Sequence, residues 1–281
     1  MEAVMDIPHP ERIIFPGSGV TRRQLVEYYA AVGPVLLSYY RNRALTMVRW
    51  PHGLGGPHFF QRHPEGNSTQ PITVDTVEQL IWWAARGTIE WHVPLNTLTA
   101  PNQHDWAVID LDPPGSEWTP LMQAARIIQT LLDMLHVPHA LKTSGRRGLH
   151  FFIRIEPENP GRVMAAIKAL ASIAVKTYPE VFTVERLKAK RQNKMYLDYL
   201  QNGPGRTMIG VYSVRSEEPG TVSCPLQPDD LHYPATHWTM ERVSKRLRRE
   251  GDLFSLVPAI PLVQVLSRGG IHVDHMAGDI G

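Results

Sequence analysis

Asp110 and Asp112 lie two residues apart in Asp-Trp-Ala-Val-Ile-Asp-Leu-Asp-Pro-Pro-Gly, which runs from Asp105 to Gly115. In a strand that spacing turns both side chains to one face, and the prolines and glycine then end the strand. Two bare carboxylates on one face repel each other, so a divalent cation is their natural neutraliser. The competing reading is that Asp112-Pro113 begins an ordinary turn. Asp-x-Asp also occurs in glycosyltransferases and haloacid-type phosphatases.

Two further stretches carry chemistry. Met195-Tyr196-Leu197-Asp198-Tyr199-Leu200 predicts a mostly apolar strand interrupted by one carboxylate. Such a charge is costly unless paired or bound to a metal, so Asp198 is the natural third ligand, although a salt bridge to Arg191 or Arg206 would satisfy the same physics. Ser144-Gly-Arg-Arg-Gly-Leu-His150 has glycines on both sides of two arginines. Glycine lets the backbone come close to a ligand, while Ser and Arg supply donors for phosphate oxygens. The turn lacks the Lys-Ser/Thr ending and following helix of a Walker loop, and an ordinary basic hairpin stays open.

The elements that must position these residues follow from apolar periodicity and caps. Helices are expected over 21–32, 76–85, 119–136, 160–176 and 239–249, with Thr21 and Asp75 as N-caps and Pro160 as a first-turn residue. Strands are expected over 45–50, 89–93, 139–143, 151–155 and 195–200. His92 lies in one of them, where a lone histidine is more often structural. Phe59 and Phe60 would point opposite ways in a strand, and core packing is the favoured reading for both. Arg242, Lys245, Arg246 and Arg249 recur at helical spacing and read as a solvated face.

Composition narrows the class. The chain has 281 residues, 43% of them hydrophobic and 20% charged, enough for a substantial core, and it has no run of about 18 apolar residues to span a membrane. Its first twenty residues do not read as a signal peptide. A net charge of +2 does not by itself argue for nucleic acid, and the one cysteine, Cys224, excludes an internal disulfide, which fits a reducing cytoplasm. No internal repeat or linker forces a domain cut.

In this order, Asp-Leu-Asp-Pro, Ser-Gly-x-x-Gly-Leu-His and Leu-Asp-Tyr-Leu-Gln-Asn resemble motifs I, II and III of the archaeo-eukaryotic primase superfamily. The closer resemblance is to the polymerase domain of bacterial ligase D, an end-joining repair enzyme. It extends to His-Pro-Glu-Arg-Ile-Ile-Phe-Pro near the start, Arg-Trp-Pro-x-Gly with Phe-Phe-Gln-Arg, Glu-Trp-His-Val, and Tyr-Ser-Val-Arg. Family X polymerases share Asp-x-Asp but place their Gly-Ser element ahead of it.

The resemblance implies an α/β (α+β) fold with a primase-like core: one compact domain over 1–281, two sheets flanked by helices, and the site in a cleft where the aspartates meet. Within it, about 1–100 would make DNA-end and template contacts, about 101–220 the catalytic core, and about 221–281 a C-terminal helix and tail. The implied activity is DNA-dependent nucleotidyl transfer that fills gaps or extends ends in non-homologous end joining, with a preference for ribonucleotides; a non-catalytic module bridging 5'-phosphorylated ends is the alternative. Asp110, Asp112 and Asp198 would bind two manganese (or magnesium) ions. Ser144, Arg147, His150, Gln201 and Arg215 would hold the nucleotide, with His92 beside it and Arg49 and Arg62 lining the same site. Phe59 and Phe60 match an aromatic pair that stacks on template or nucleotide bases, and His9, Arg12 and Arg22 stand where a 5'-phosphate of DNA is bound. Arginine replaces the usual lysine at 12, 22, 62 and 147, and His9 stands where asparagine is common. The implied partners are DNA ends or gapped duplex, NTPs or dNTPs, a separate DNA ligase and an end-binding protein, in a bacterial or archaeal cytoplasm at the nucleoid. With no Lys-x-Asp-Gly ligase nucleophile, the expectation is a stand-alone enzyme or an excised domain.

Overall fold

The computed structural model describes residues 6–64, 68–255 and 257–273. In chain order its elements are β1 (Ile13–Phe15), β2 (Val20–Thr21), α1 (Arg22–Tyr40), β3 (Thr46–Arg49), β4 (Phe59–Gln61), α2 (Val77–Ala85), β5 (Thr88–Pro94), β6 (His104–Asp112) and α3 (Trp118–Met134). There follow β7 (Ala140–Thr143), β8 (Leu149–Glu158), α4 (Pro160–Thr177), β9 (Phe182–Thr183), β10 (Met195–Asp198), β11 (Thr207–Ile209), β12 (Pro225–Leu226), α5 (Met240–Glu250) and α6 (Leu262–Arg268). Among the described residues no helix is long and apolar enough to cross a membrane.

The chain divides into two compact units made of non-consecutive stretches. One holds the residues up to Pro94 with Met208–Cys224 and Ala235–Asp252, and the other holds Leu95–Thr207, Pro225–Pro234 and the residues from Leu253 on. The reason is topological: after β10 the chain returns to add β11 to the first unit's sheet.

In the first unit a four-stranded sheet has the order β11-β5-β3-β4, with β3 antiparallel to both β4 and β5. Helix α1 starts as expected at the Thr21 cap, where Thr21 and Gln24 form a reciprocal capping box. It does not stop at Val32 but continues through Pro34 to Tyr40. A proline there removes one helix bond, at a cost of roughly 3 kcal/mol. Leu36, Leu37 and Tyr40 beyond it are buried, and the Tyr40 hydroxyl donates to the Val211 carbonyl, so packing outweighs the lost bond. Gly33 lets α2 approach, because a Cβ there would meet the Val77 and Leu80 side chains at 3.1 to 3.3 Å. The cap of α2 is Thr76 and not Asp75, since Gln79 stands three residues after Thr76 and closes a capping box with it. In α5, capped by Thr239, Arg246 departs from the expected solvated face. It is buried, with its guanidinium over Trp238 and its Nε donating to Glu250, because its long stem covers the ring.

In the second unit a six-stranded sheet has the order β12-β7-β8-β6-β10-β9. All pairs are antiparallel except β10 with β9. Helix α4 lies against β6 and touches α3 and α6. Its Val163, Ile167, Leu170 and Ala174 are buried, as the apolar stripe in the sequence requires. Along β6 from Ala107 on, Ala107, Ile109 and Leu111 alternate with Val108, Asp110 and Asp112, so one side of this stretch is apolar and the other ends in the two carboxylates. The expected strand over 195–200 stops at Asp198, and Tyr199–Asn202 turn into a 3-10 helix that Asp198 caps.

Candidate active site

The second unit gathers the three aspartates through strand register. Asp110 on β6 is the Cα partner of His150 on β8 and of Asp198 on β10, while His150 in turn is the partner of Lys142 on β7. Directly opposed residues share a face, so Lys142, His150, Asp110 and Asp198 form one row across four adjacent strands. Asp112, two residues on, pairs with Tyr196 and lies on the same face. The Lys142 ammonium is 2.8 Å from His150 Nδ1, and His150 Nε2 is 3.3 Å from Asp110 Oδ1. An ammonium only donates, so Nδ1 accepts and the His150 proton lies on Nε2, toward Asp110. Lys142 was not singled out in the sequence; it is fully buried, a rare place for lysine.

Asp198 is satisfied by its own turn. Its Oδ1 accepts from Tyr196 Oη and Leu200 N, both at 3.1 Å, and its Oδ2 accepts from Gln201 Nε2 at 3.2 Å. These bonds take the place of the salt bridge to Arg191 or Arg206. Asn202, fully buried, fixes the turn on β6: its Oδ1 accepts from Val108 N and its Nδ2 donates to Val108 O, both at 2.8 Å. The side-chain amide thus continues the ladder where β10 has ended, two residues before Asp110.

The Ser144 turn is built by its own hydroxyl. Ser144 Oγ accepts from Arg146 N at 3.2 Å and Gly148 N at 3.1 Å, and Gly145 takes φ +74°. Gly148 is required by proximity, since a Cβ there would come within 2.9 Å of the Leu111 carbonyl and 3.3 Å of Asp112 Oδ1. Arg146 and Arg147 are exposed at the tip.

The electrostatics of the aspartates are unbalanced. Burial and then the Asp198 charge push the Asp110 carboxyl up to about 7, against the pull of Lys142. Burial, Asp110 and Asp198 push Asp112 up to about 7 as well, against Arg191 and Arg147. Negative charge is therefore in excess at this end of the sheet. Among the described residues no group of three His, Cys, Asp or Glu side chains is already arranged to hold a metal ion. Asp198 turns its oxygens into its own cap, and Asp110 leans on His150. The donor set still suits a hard divalent cation: it is all oxygen, buried at Asp110 and half-buried at Asp112 and Asp198, and destabilised by its own charge.

The first unit holds the other candidates. Glu90 and His92 share a face of β5, with Glu90 Oε2 3.0 Å from His92 Nε2 and 3.3 Å from Arg215 Nη1. Glu90 Oε1 accepts from Ser216 N at 2.9 Å and Ser216 Oγ at 2.6 Å. Burial would raise this carboxyl, but His92, Arg215 and Ser216 together draw it down to about 2. Glu90 and Ser216 were also passed over in the sequence: Glu90 stands two residues from His92 and Ser216 next to Arg215, but only the fold brings the two pairs together. Arg49 is buried, donating to Gln61 Oε1 and the Arg86 carbonyl, and stacks over Phe59 at 5.3 Å. Arg62 is exposed. Phe59 and Phe60 are 44% and 66% exposed, against the core packing expected for them, because β4 is an edge strand.

His9 has φ 49°, a left-handed conformation that asparagine adopts more readily than histidine. Its carbonyl accepts from Arg12 N, and Arg12 Nη1 donates to the Pro51 carbonyl at 3.0 Å and approaches His52 Nδ1 at 3.2 Å. Arg22 is buried, with Nη1 on the Pro8 carbonyl and Nη2 on Pro51, so it braces the loops that carry Arg12. Burial and the Arg12 charge lower its pKa, which marks a local surplus of positive charge.

These arrangements have relatives. The family described as LigD, primase-polymerase domain matches residues 21–254. The bifunctional non-homologous end joining protein LigD of Bacillus subtilis is 32% identical over 260 residues, covering 87% of this chain and 42% of its own length. The multifunctional LigD of Pseudomonas aeruginosa is 30% identical over 86% of this chain and 31% of its own. The chain thus spans less than half the length of these curated relatives. The polymerase domain of Mycobacterium tuberculosis ligase D in complex with DNA superposes with a TM-score of 0.79 at 26% identity, over 90% of this chain and 99% of that one. The chain belongs to the LigD primase-polymerase domain family and is, with that family, a nucleotidyltransferase.

Proposed function

We propose that this chain is a DNA-dependent polymerase of end-joining repair, which fills gaps or extends DNA ends and takes ribonucleotides in preference to deoxyribonucleotides. The observation that carries the reading is the row Lys142, His150, Asp110, Asp198 with Asp112 beside it, which concentrates uncompensated negative charge where a primer end and a triphosphate would need cations. Asp110, Asp112 and Asp198 would hold two manganese or magnesium ions, which lower the pKa of an attacking 3'-hydroxyl and neutralise the leaving pyrophosphate.

The chain's own groups do the rest. His150, held as the Nε2–H tautomer by Lys142, fixes Asp110. Arg147 at the turn tip is suited to phosphate oxygens, and Gln201 and Ser144 frame the same end of the sheet. In the first unit, Glu90 preorganises Arg215 and His92 for the nucleotide, with Arg49 on the neighbouring strand β3 and Arg62 just beyond β4. Phe59 and Phe60 are free to stack on bases, and the surplus positive charge at Arg12 and Arg22, with His9 shaping the turn, suits a 5'-phosphate. A separate ligase and an end-binding protein at the nucleoid complete the reading.

The test is extension of a labelled primer on a gapped duplex, with and without a 5'-phosphate on the downstream strand, using rNTPs and then dNTPs with manganese. Faster ribonucleotide addition that depends on the phosphate is expected. Incorporation that survives Asp110→Ala with Asp112→Ala would overturn the reading, as would DNA binding without turnover under every metal.

A further inference from the structure

Beside the exposed phenylalanines the first unit carries a second aromatic group, an exposed tryptophan against a half-buried one, that the polymerase reading leaves unused. Helix α2 ends in Trp82-Trp83-Ala84-Ala85-Arg86. Trp82 is 41% exposed, which is unusual for the largest apolar side chain. Its ring meets Trp83 edge-on at 4.8 Å, and the Arg86 guanidinium lies over it at 3.7 Å, anchored by a bond from Arg86 Nη1 to the Trp82 carbonyl. The same helix is joined to β4 through Arg49, whose guanidinium is 5.3 Å from the Phe59 ring and 5.4 Å from the Trp83 ring. Phe59, Arg49, Trp83, Trp82 and Arg86 thus form one continuous series in which every step is within stacking or cation–π range.

The two phenylalanines divide between the sides of β4. Phe60 lies 6.5 Å from His92, on the side of Glu90, while Phe59 is the register partner of Arg49 and faces α2. Arg49 is buried and holds the series together, while the exposed Trp82 ring and the Arg86 guanidinium beside it offer what a single nucleic-acid strand requires: a ring for a base of any sequence and a fixed positive charge for a phosphate. The series ends at Glu78, one turn earlier on α2, where a phosphate would be repelled.

We infer that the Trp82–Arg86 end of α2 is a binding track for single-stranded nucleic acid, continuing from Phe59 and taking the unpaired template bases beyond the one being copied. The inference rests on the polymerase reading for the word template, but the track itself follows from the exposed rings and their arginines.

The test uses the full chain and a recessed-end DNA duplex with a 5' template overhang of about 2 or about 10 nucleotides, read by fluorescence anisotropy at one low salt concentration. Wild type is expected to bind the long overhang more tightly than the short one. Trp82→Ala should weaken binding to the long overhang about fivefold or more, the equivalent of ~1 kcal/mol for one lost stacked base, and leave the short overhang unchanged. Trp82→Phe, which keeps a ring, should retain most of the affinity. Equal affinity of Trp82→Ala and wild type for both substrates overturns the track, and so does an equal loss on both. A changed sedimentation coefficient of the DNA-free variant, with DNA binding intact, also overturns it and makes the face a contact between copies. Nucleotide incorporation by wild type separates the two readings. Incorporation without the Trp82 effect removes only the track, whereas the Trp82 effect without incorporation removes the polymerase reading and keeps the track.

Discussion

Asp110 and Glu90 are both buried carboxylates on central strands, and their surroundings drive them in opposite directions. Asp110 faces a second carboxylate across the ladder and is pushed up to about 7. Glu90 faces an arginine, a histidine and two Ser216 donors and is drawn down to about 2. Burial penalises the charge in both places; partners decide the outcome. The Glu90 site is complete as it stands and braces its neighbours. At the aspartate site Lys142, Arg191 and Arg147 offset only part of the negative charge, and that deficit is what makes it fit to recruit cations.

The largest effect that would test this contrast is a split between activity and stability at Asp110. Asp110→Asn should lower nucleotide incorporation by on the order of a thousandfold or more, since it removes a group that acts as part of a unit. The same change should raise the melting temperature of the metal-free protein, because one of the mutually repelling charges is gone. A melting temperature that falls instead would mean that Asp110 is compensated in the way Glu90 is.

Glu90→Gln should do the reverse. It keeps the shape but leaves Arg215 and His92 without their buried counter-charge, so stability should drop by about 3 kcal/mol in urea unfolding. KM for nucleotide should rise more than kcat falls, as Arg215 loses its anchor. Unchanged unfolding with unchanged KM would remove Glu90 from the site.

The two sites also titrate with opposite signs. Glu90 is lowered on folding, so its stabilisation is full above its unfolded value of about 4.5 and is lost as pH falls toward 2. Asp110 and Asp112 are raised on folding, so between about 4 and 7 the folded state binds more protons than the unfolded one and stability declines as pH rises. Metal-free melting temperature should therefore fall from pH 5 to pH 8, and added manganese should raise it more at pH 8 than at pH 5. A manganese effect that is equal at both pH values would show that these carboxylates are not its ligands.

The contrast could be read only in part from the sequence. Asp110 and Asp112 announced themselves by a local rule, the two-residue repeat of a strand, and Asp198 by its place in an apolar run. Thr21 and Pro160 did the same for their helices. Glu90 and Lys142 take their meaning from partners that the sequence does not point to: Lys142 when β7 and β8 pair in register and bring it to His150, and Glu90, which already shares a face of its strand with His92, when the distant Arg215 and Ser216 reach its carboxylate. The exposure of Phe59 and Phe60 was hidden for a related reason, since a strand's place at a sheet edge is a property of topology. Helix α1 outran its predicted end because burial of Tyr40 is a tertiary gain that Pro34 cannot signal.

Lys142 offers a sharper cut at the same contrast. Lys142→Met should keep the apolar stem and remove the donor that sets the His150 tautomer. Incorporation should then fall by roughly 10- to 100-fold, mostly in kcat, as for other groups that orient a ligand through a neighbour. A matching rise in KM with kcat unchanged would place Lys142 in substrate binding instead.

The smallest effect belongs to Ser216→Ala. It removes one hydroxyl donor from Glu90 Oε1 but leaves the Ser216 backbone N–H, His92 and Arg215 in place. A hydrogen bond to a charged group contributes about 1.5–3 kcal/mol, and because the remaining partners share the same carboxylate the loss should lie at the low end of that range. The Glu90 pKa should rise from about 2 toward its ordinary value without reaching it, so the acid limb of the stability profile should move to higher pH. The pH 5 to pH 8 limb, which reports the aspartates, should not move. If both limbs shift together, the two carboxylate sites are coupled and cannot be treated as independent.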